Sequence, residues 1–236
     1  MTGPRQDPTE QLLHQLDRAA VLRTASAEDP ELEAKRQQLR AWQAARLART
    51  HADLLASPNM GRAAAFFLSD LYGSEDLTQL DANVRRIVPT LKRLLPAAGL
   101  EIVTEAVELE ALSEELDFAT ATALGAFAGK LTGSIYANAY RKVDRRADRE
   151  RQIFLIESVG HALDDFVRHP LIGTTLSMMR LPAQIAGLSE LQDFLQRGYK
   201  AFVKMDSADE FLNLVVSRER KLLNALFAGD DSLLDQ

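Results

Sequence analysis

Apolar residues recur every three or four positions over most of the chain, and no segment sustains the strict alternation of a half-buried strand. The pattern predicts an all-α protein, a single bundle-like domain of about nine helices. Leu12, Leu13, Leu16, Ala19 and Ala20 form one amphipathic face behind a frayed leader, Met1 to Pro8. Asp29-Pro30 restarts the chain as an N-cap with proline at the first helical position, and the second helix runs to about Ser57 with Leu32, Leu39, Trp42 and Leu47 on its apolar side. A third helix lies between Ser57-Pro58-Asn59 and Gly73 and carries the adjacent rings Phe66 and Phe67. Neighbours on a helix point about 100° apart, so both rings cannot centre one buried face. Phe67 groups with Ala63, Ala64, Leu68 and Leu71 on the core side. Phe66 falls outside that arc, either covered by a second layer of helices or offered as a contact surface.

Further along, Thr78 and Asp81 have capping-box spacing, Pro89 divides or kinks the following helix, and Pro96 ends it. The longest helix spans roughly Ala97 to Gly125. "GSIYANAY" leads into the charge-rich "RKVDRRADRER" and the apolar face of Leu155, Val159, Leu163 and Phe166, closed by His169-Pro170. In "MMRLPAQIAGL" (Met178 to Leu188), Pro182 predicts a break and Gly187 a C-terminal cap. Ser189 with Gln192 and Ser207 with Glu210 cap the last two helices. Residues 1–59 read as a helical extension, 60–228 as the main domain and 229–236 as a flexible tail.

Candidate chemistry is sparse. On the long helix Glu110, Glu114 and Asp117 share one stripe, Glu101, Glu105, Glu108 and Glu115 lie opposite, and two apolar faces separate them. A helix clasped on two sides turns one acidic stripe inward, where carboxylates need arginines, a metal or water. Arginine pairing is the plainer reading. A di-iron bundle uses Glu-x-x-His twice, whereas here Glu157 and His161 give Glu-x-x-x-His once, on a face that should be solvated. No metal and no cofactor is expected. The run Arg141 to Arg151 reads as exposed helix surface with local pairs Arg146–Glu150, Arg141–Asp144 and Asp148–Arg151. Arg180, beside the Pro182 break, reads as a clamp on loop carbonyls or as a group holding an acidic ligand.

Composition narrows the classes further. There is no cysteine, which removes disulfides, thiolate metal sites and cysteine nucleophiles together. A formal charge of −6, from 34 acidic and 28 basic side chains, argues against general nucleic-acid binding. The longest unbroken apolar stretch, Ala63 to Leu68, is far below the ~20 residues of a membrane span, and the N-terminus lacks the apolar core of a secretory signal. A cytoplasmic protein is expected. The usual catalytic signatures, H-E-x-x-H, G-x-S-x-G and G-x-x-x-x-G-K-[ST], are missing.

"FFLSDLYG" (Phe66 to Gly73), "ELEALSEELD" (Glu108 to Asp117), "MMRLPA" (Met178 to Ala183) and "FLQRGYKAF" (Phe194 to Phe202) together resemble a family of uncharacterised bacterial helical proteins, a domain of unknown function. The resemblance covers roughly Met60 to Phe227. It implies a bacterial source and a single helical domain, and it brings no activity with it. Two functions follow from the residues. One is a non-catalytic helical protein acting through a protein partner or its own dimer, using aromatics near Phe66 and the N-terminal helices. The other is a ligand-binding or enzymatic bundle with a pocket lined by Glu110, Glu114, Asp117 and Arg180. Convergence of the three acids with a histidine or with Arg180 around a cavity of a few hundred Å³ would favour the second, and individual salt bridges with no cavity the first.

Overall fold

The computed structural model describes residues 7–68, 85–89, 97–126, 129–205 and 207–234. The fold is all-α: it is 84% helical, and no strand occurs among the described residues. The helices are α1 (Pro8–Ala27), α2 (Pro30–Thr50), α3 (Ala52–Ala56), α4 (Gly61–Phe66), α5 (Ala97–Ala123), α6 (Gly133–Val143), α7 (Arg146–Arg168), α8 (Ile172–Ile185), α9 (Ser189–Phe202) and α10 (Asp209–Phe227), with a final 3-10 turn at Ser232–Leu234. The tally of eleven among the described residues exceeds nine partly because two expected helices divide. The segment 30–57 breaks at His51, and the Arg141–Arg151 run breaks at Asp144, whose left-handed backbone (φ 49°) an aspartate adopts more readily than most residues.

Local chemistry explains most starts and stops. Asp7 and Asp29 cap α1 and α2 with their side chains, and proline follows each at the first helical position. Ser189 is instead the first residue of α9, and α10 starts at Asp209, whose amide donates to Ser207 Oγ at 3.1 Å. The expected break at Pro182 does not occur. α8 continues through it to Ile185, because the bond that proline removes would reach the carbonyl of Met178, on a stretch where residues 178–182 are all exposed and water can replace it. Gly187 (φ +67°) does end the helix. Its amide donates to Gln184 O at 3.0 Å and that of Leu188 to Ala183 O at 2.7 Å, the paired bonds of a Schellman cap.

α5 is the axis on which the rest is arranged. Leu100 packs with Leu12 of α1 and Val88, while Leu109, Leu112 and Leu116 enter the main core with α4, α7, α9 and α10. α7 and α10 cross closely at Gly160, where any Cβ would collide with Leu212. A second core gathers Leu39, Tyr136, Tyr140, Leu222 and Leu226, and Leu234 joins it at 1% exposure. The expected flexible tail is therefore anchored through Leu234 by burial of its side chain. Within residues 1–59, expected as an extension, α1 and α2 pack on α5 and contribute Leu12 and Leu39 to the cores. Phe66 is not on the surface: at 6% exposure it meets Phe194 and Phe202, because α9 forms the covering layer. The Thr78, Asp81 and Pro96 signals lie outside the described residues.

Candidate functional site

The acidic stripe of α5 does turn inward, and arginines from two other helices meet it. Glu114, 2% exposed, accepts from Arg36 and Arg40 of α2 and has Arg23 Nε of α1 at 3.5 Å. Glu110 takes Arg23 Nη2 at 2.7 Å, and Asp117 Oδ2 lies 3.4 Å from Arg40 Nε. Burial pushes the Asp117 carboxyl above its ordinary range, outweighing Arg40 and Arg149 nearby. Three acids of the other stripe are also engaged. Arg151 grips Glu108 through two 2.8 Å bonds, Glu115 meets Arg18 and Arg145, and Glu105 accepts from Ser158.

Glu110, Glu114 and Asp117 converge on a cavity of about 80 Å³. It continues towards Glu219, which accepts from Arg46 at 2.5 Å and has His51 Nε2 at 3.4 Å. Burial alone would raise the Glu219 carboxyl, but Arg46 and His51 overcome it and hold the group at about 2. Arg180 is not part of this wall. It is exposed on α8, and the clamp expected of it belongs to Arg86, whose Nη2 donates to the carbonyls of Ala186 and Gly187 at 2.8 and 2.9 Å. A broader, open groove of about 520 Å³ runs between α1 and α5, floored by Leu22, Phe118 and Ala119.

The basic run behaves differently from the expected exposed surface. Only Arg146–Glu150 forms among the three local pairs, at 2.9 Å. Arg141 bonds Asn138, Arg145 takes Asp148, and Arg151 reaches α5. Arg149 is buried against the Tyr140 ring. The sequence signal for it was available in the spacing: Arg149, Ile153 and Ile156 share the inward side of α7 at i, i+4 and i+7. Glu157 and His161 pair loosely with Arg220 and Asp209, whereas Asp164, expected on a solvated face, is 8% exposed and held by Arg168. No three His, Cys, Asp or Glu side chains stand close enough to hold a metal among the described residues. No helix there is long and apolar enough to cross a membrane.

The outer surface carries an unusual feature on α8. Met178, Met179, Leu181 and Ile185 are 68%, 49%, 64% and 80% exposed, and Leu171 and Phe166 are exposed at 63% and 43%. Only Leu176 and Ala183 of this helix are buried. Gly173 and Gln192 tie it to α9, the latter by a bond from Nε2 to Leu176 O at 2.6 Å.

Comparison with protein families adds an identification at this point. The model of a domain of unknown function, DUF8198, matches residues 22–233. The chain belongs to this family. Comparison with curated proteins and with solved structures finds no match. The DUF8198 match begins inside α1 and runs across residue 59, so the α2 arginines and the α5 carboxylates fall within one family unit.

Proposed function

We propose that this DUF8198 protein is a non-catalytic helical protein that works by associating with a protein surface, and that α8 is the face it uses. The supporting observation is the apolar patch of Met178, Met179, Leu181 and Ile185, which no other helix covers among the described residues. Contiguous exposed apolar surface of this kind is costly in water and marks interaction sites. Methionines suit such a surface because their unbranched side chains adapt to a partner's shape. Arg180 is the one charged residue of α8, placed to select an acidic neighbour at the rim. A cytoplasmic, bacterial setting and the absence of nucleic acid among its partners belong to the same reading. The competing pocket reading is weaker, since about 80 Å³ is small for a metabolite and its carboxylates are ion-paired.

The test combines light scattering over a concentration series with capture from the native host, each run on the wild type and on Leu181→Glu/Ile185→Glu. Both positions are exposed, so the double variant should keep the wild-type melting temperature. A dimer or a stoichiometric bound protein lost in the variant is the expected result. A wild type that stays monomeric and captures nothing beyond what the variant captures would overturn it.

A further inference from the structure

Arg149 is a buried cation without a contact counter-ion. It is 7% exposed, its guanidinium carbon lies 4.5 Å from the Tyr140 ring centre, and it donates one hydrogen bond, from Nη2 to Thr120 Oγ1 at 3.0 Å. No ion pair of Arg149 occurs among the described residues; the Asp117 carboxylate of the same wall feels its charge but is paired with Arg40. The other guanidiniums around the cavity each have one: Arg23 has Glu110, Arg36 and Arg40 have Glu114, and Arg46 has Glu219. A guanidinium offers five N–H donors, and a buried charge is costly unless paired and hydrogen-bonded.

What Arg149 borders is the 80 Å³ cavity, and its neighbours in that wall include Gln152, Tyr136 and Tyr140, all with N–H or O–H donors. The volume decides the size of an occupant. A cavity of about 150 Å³ takes benzene, so this one suits about three or four heavy atoms. The nearest acids already hold other arginines: Glu110 pairs with Arg23, Glu114 with Arg36 and Arg40, Asp117 with Arg40 and Glu219 with Arg46.

We propose that the cavity binds a small monovalent anion, a halide or a planar oxyanion of bicarbonate size, with Arg149 as its counter-ion and Gln152 and the two tyrosines as further donors. The anion gives Arg149 a contact counter-ion and ties α7 to α5 and α6. This is independent of the association proposed for α8.

The experiment is thermal unfolding of the whole chain in sodium gluconate, whose anion is too large for the cavity, titrated at constant ionic strength with chloride, bromide, nitrate or bicarbonate. The expected result is a saturable rise in melting temperature with at least one small anion, and a weakening of its apparent affinity by about tenfold or more in Arg149→Met, the loss of one charge-assisted contact. Saturation by halides identifies a halide site, and saturation by nitrate and bicarbonate alone identifies a planar oxyanion site. If Arg149→Met does not fold, chloride-35 line broadening or anomalous scattering from bromide-soaked wild-type crystals reads the same site directly. Equal melting curves in gluconate and in every small anion, or an undiminished response in a folded Arg149→Met, would overturn the proposal and leave the cavity to water.

Discussion

The contact between Phe66 and Gly198 allows the packing of α4 on α9 to be tested by a double-mutant cycle. Phe66 is 6% exposed, with the rings of Phe194 and Phe202 at 5.4 and 6.4 Å, centre to centre. Phe66→Ala should cost about 3–5 kcal/mol, the range for a buried aromatic whose cavity only partly collapses. Gly198 lies in the middle of α9, and a Cβ placed there would come within 3.1 Å of Phe66 Cζ. Two opposed effects then set the outcome of Gly198→Ala. Removing a helix-interior glycine contributes about 1 kcal/mol of stability, while crowding a ring already held by two others costs about 1–3 kcal/mol. In the wild-type background the substitution should be neutral or destabilising. In Phe66→Ala the obstacle is gone, and the same substitution should stabilise by about 1 kcal/mol. The predicted coupling is therefore about 1–3 kcal/mol, well above the ~0.5 kcal/mol scatter of independent sites. Urea denaturation of all four proteins measures it, read at constant slope so that changes in the unfolded state are not mistaken for packing. Gly198→Ala effects that agree within about 0.5 kcal/mol in the two backgrounds would refute the packing argument.

Three further outcomes are expected. Glu114→Ala should cost about 3–5 kcal/mol in urea, because it takes from Arg36 (4% exposed side chain) its buried carboxylate and leaves it only the more exposed Glu33 at 3.3 Å; a loss below about 1 kcal/mol would mean that Glu33 and water already serve it. Glu219 has a carboxyl held at about 2 against a usual 4.5, so the unfolded chain takes up the proton first as pH falls, and the stability this group adds is full above pH 4.5 and lost towards pH 2. Glu219→Gln should flatten the acid limb of the stability curve in that window, and a limb unchanged in shape would contradict the ion pair with Arg46. Gly187→Ala should cost about 1–2 kcal/mol through its left-handed backbone alone, since its Cβ would stand 3.7 Å from Arg86; faster amide exchange at Leu188 would report the lost cap, and unchanged exchange would refute it.

Periodicity was enough for the helical class, the long central helix and the Asp29-Pro30 start, because these depend on residues adjacent in sequence. Gly187 was legible for the same reason: a helix end needs one residue that tolerates positive φ. Pro182 was misleading because the cost of a proline depends on what surrounds the carbonyl it strands, and that environment is set by tertiary structure. The inward turn of Glu110, Glu114 and Asp117 followed from two apolar faces flanking the stripe. Their partners did not follow, since Arg23, Arg36 and Arg40 lie 74 or more positions away in the chain and many other arginines could compete. Arg149 was hidden by its neighbours: inside a run of charges, one inward residue carries no compositional mark.

The buried ion pairs also do something that the apolar faces of α2 cannot. Of its apolar side chains only Leu39 and Leu47 are buried, while Ala41 and Ala45 face solvent, so few apolar groups of α2 interlock with a neighbour and resist a shift of one turn. Arg36 and Arg40 are one turn apart, and both meet Glu114 while Arg40 also reaches Asp117. Sliding α2 by a turn would leave one buried guanidinium without its carboxylate, at a cost far above that of mismatched methyl groups. The cluster therefore fixes the axial register of α2 on α5 even where its net contribution to stability is small. Replacing Arg36, Arg40 and Glu114 together by Met, Met and Leu separates these two roles. Stability should be retained or raised by about 1–4 kcal/mol, as when buried ion pairs give way to well-packed apolar groups, while the amide spectrum doubles for residues of α2 as two registers become populated. A single sharp set of amide signals in that triple variant would show that the buried leucines of α2 fix the register unaided.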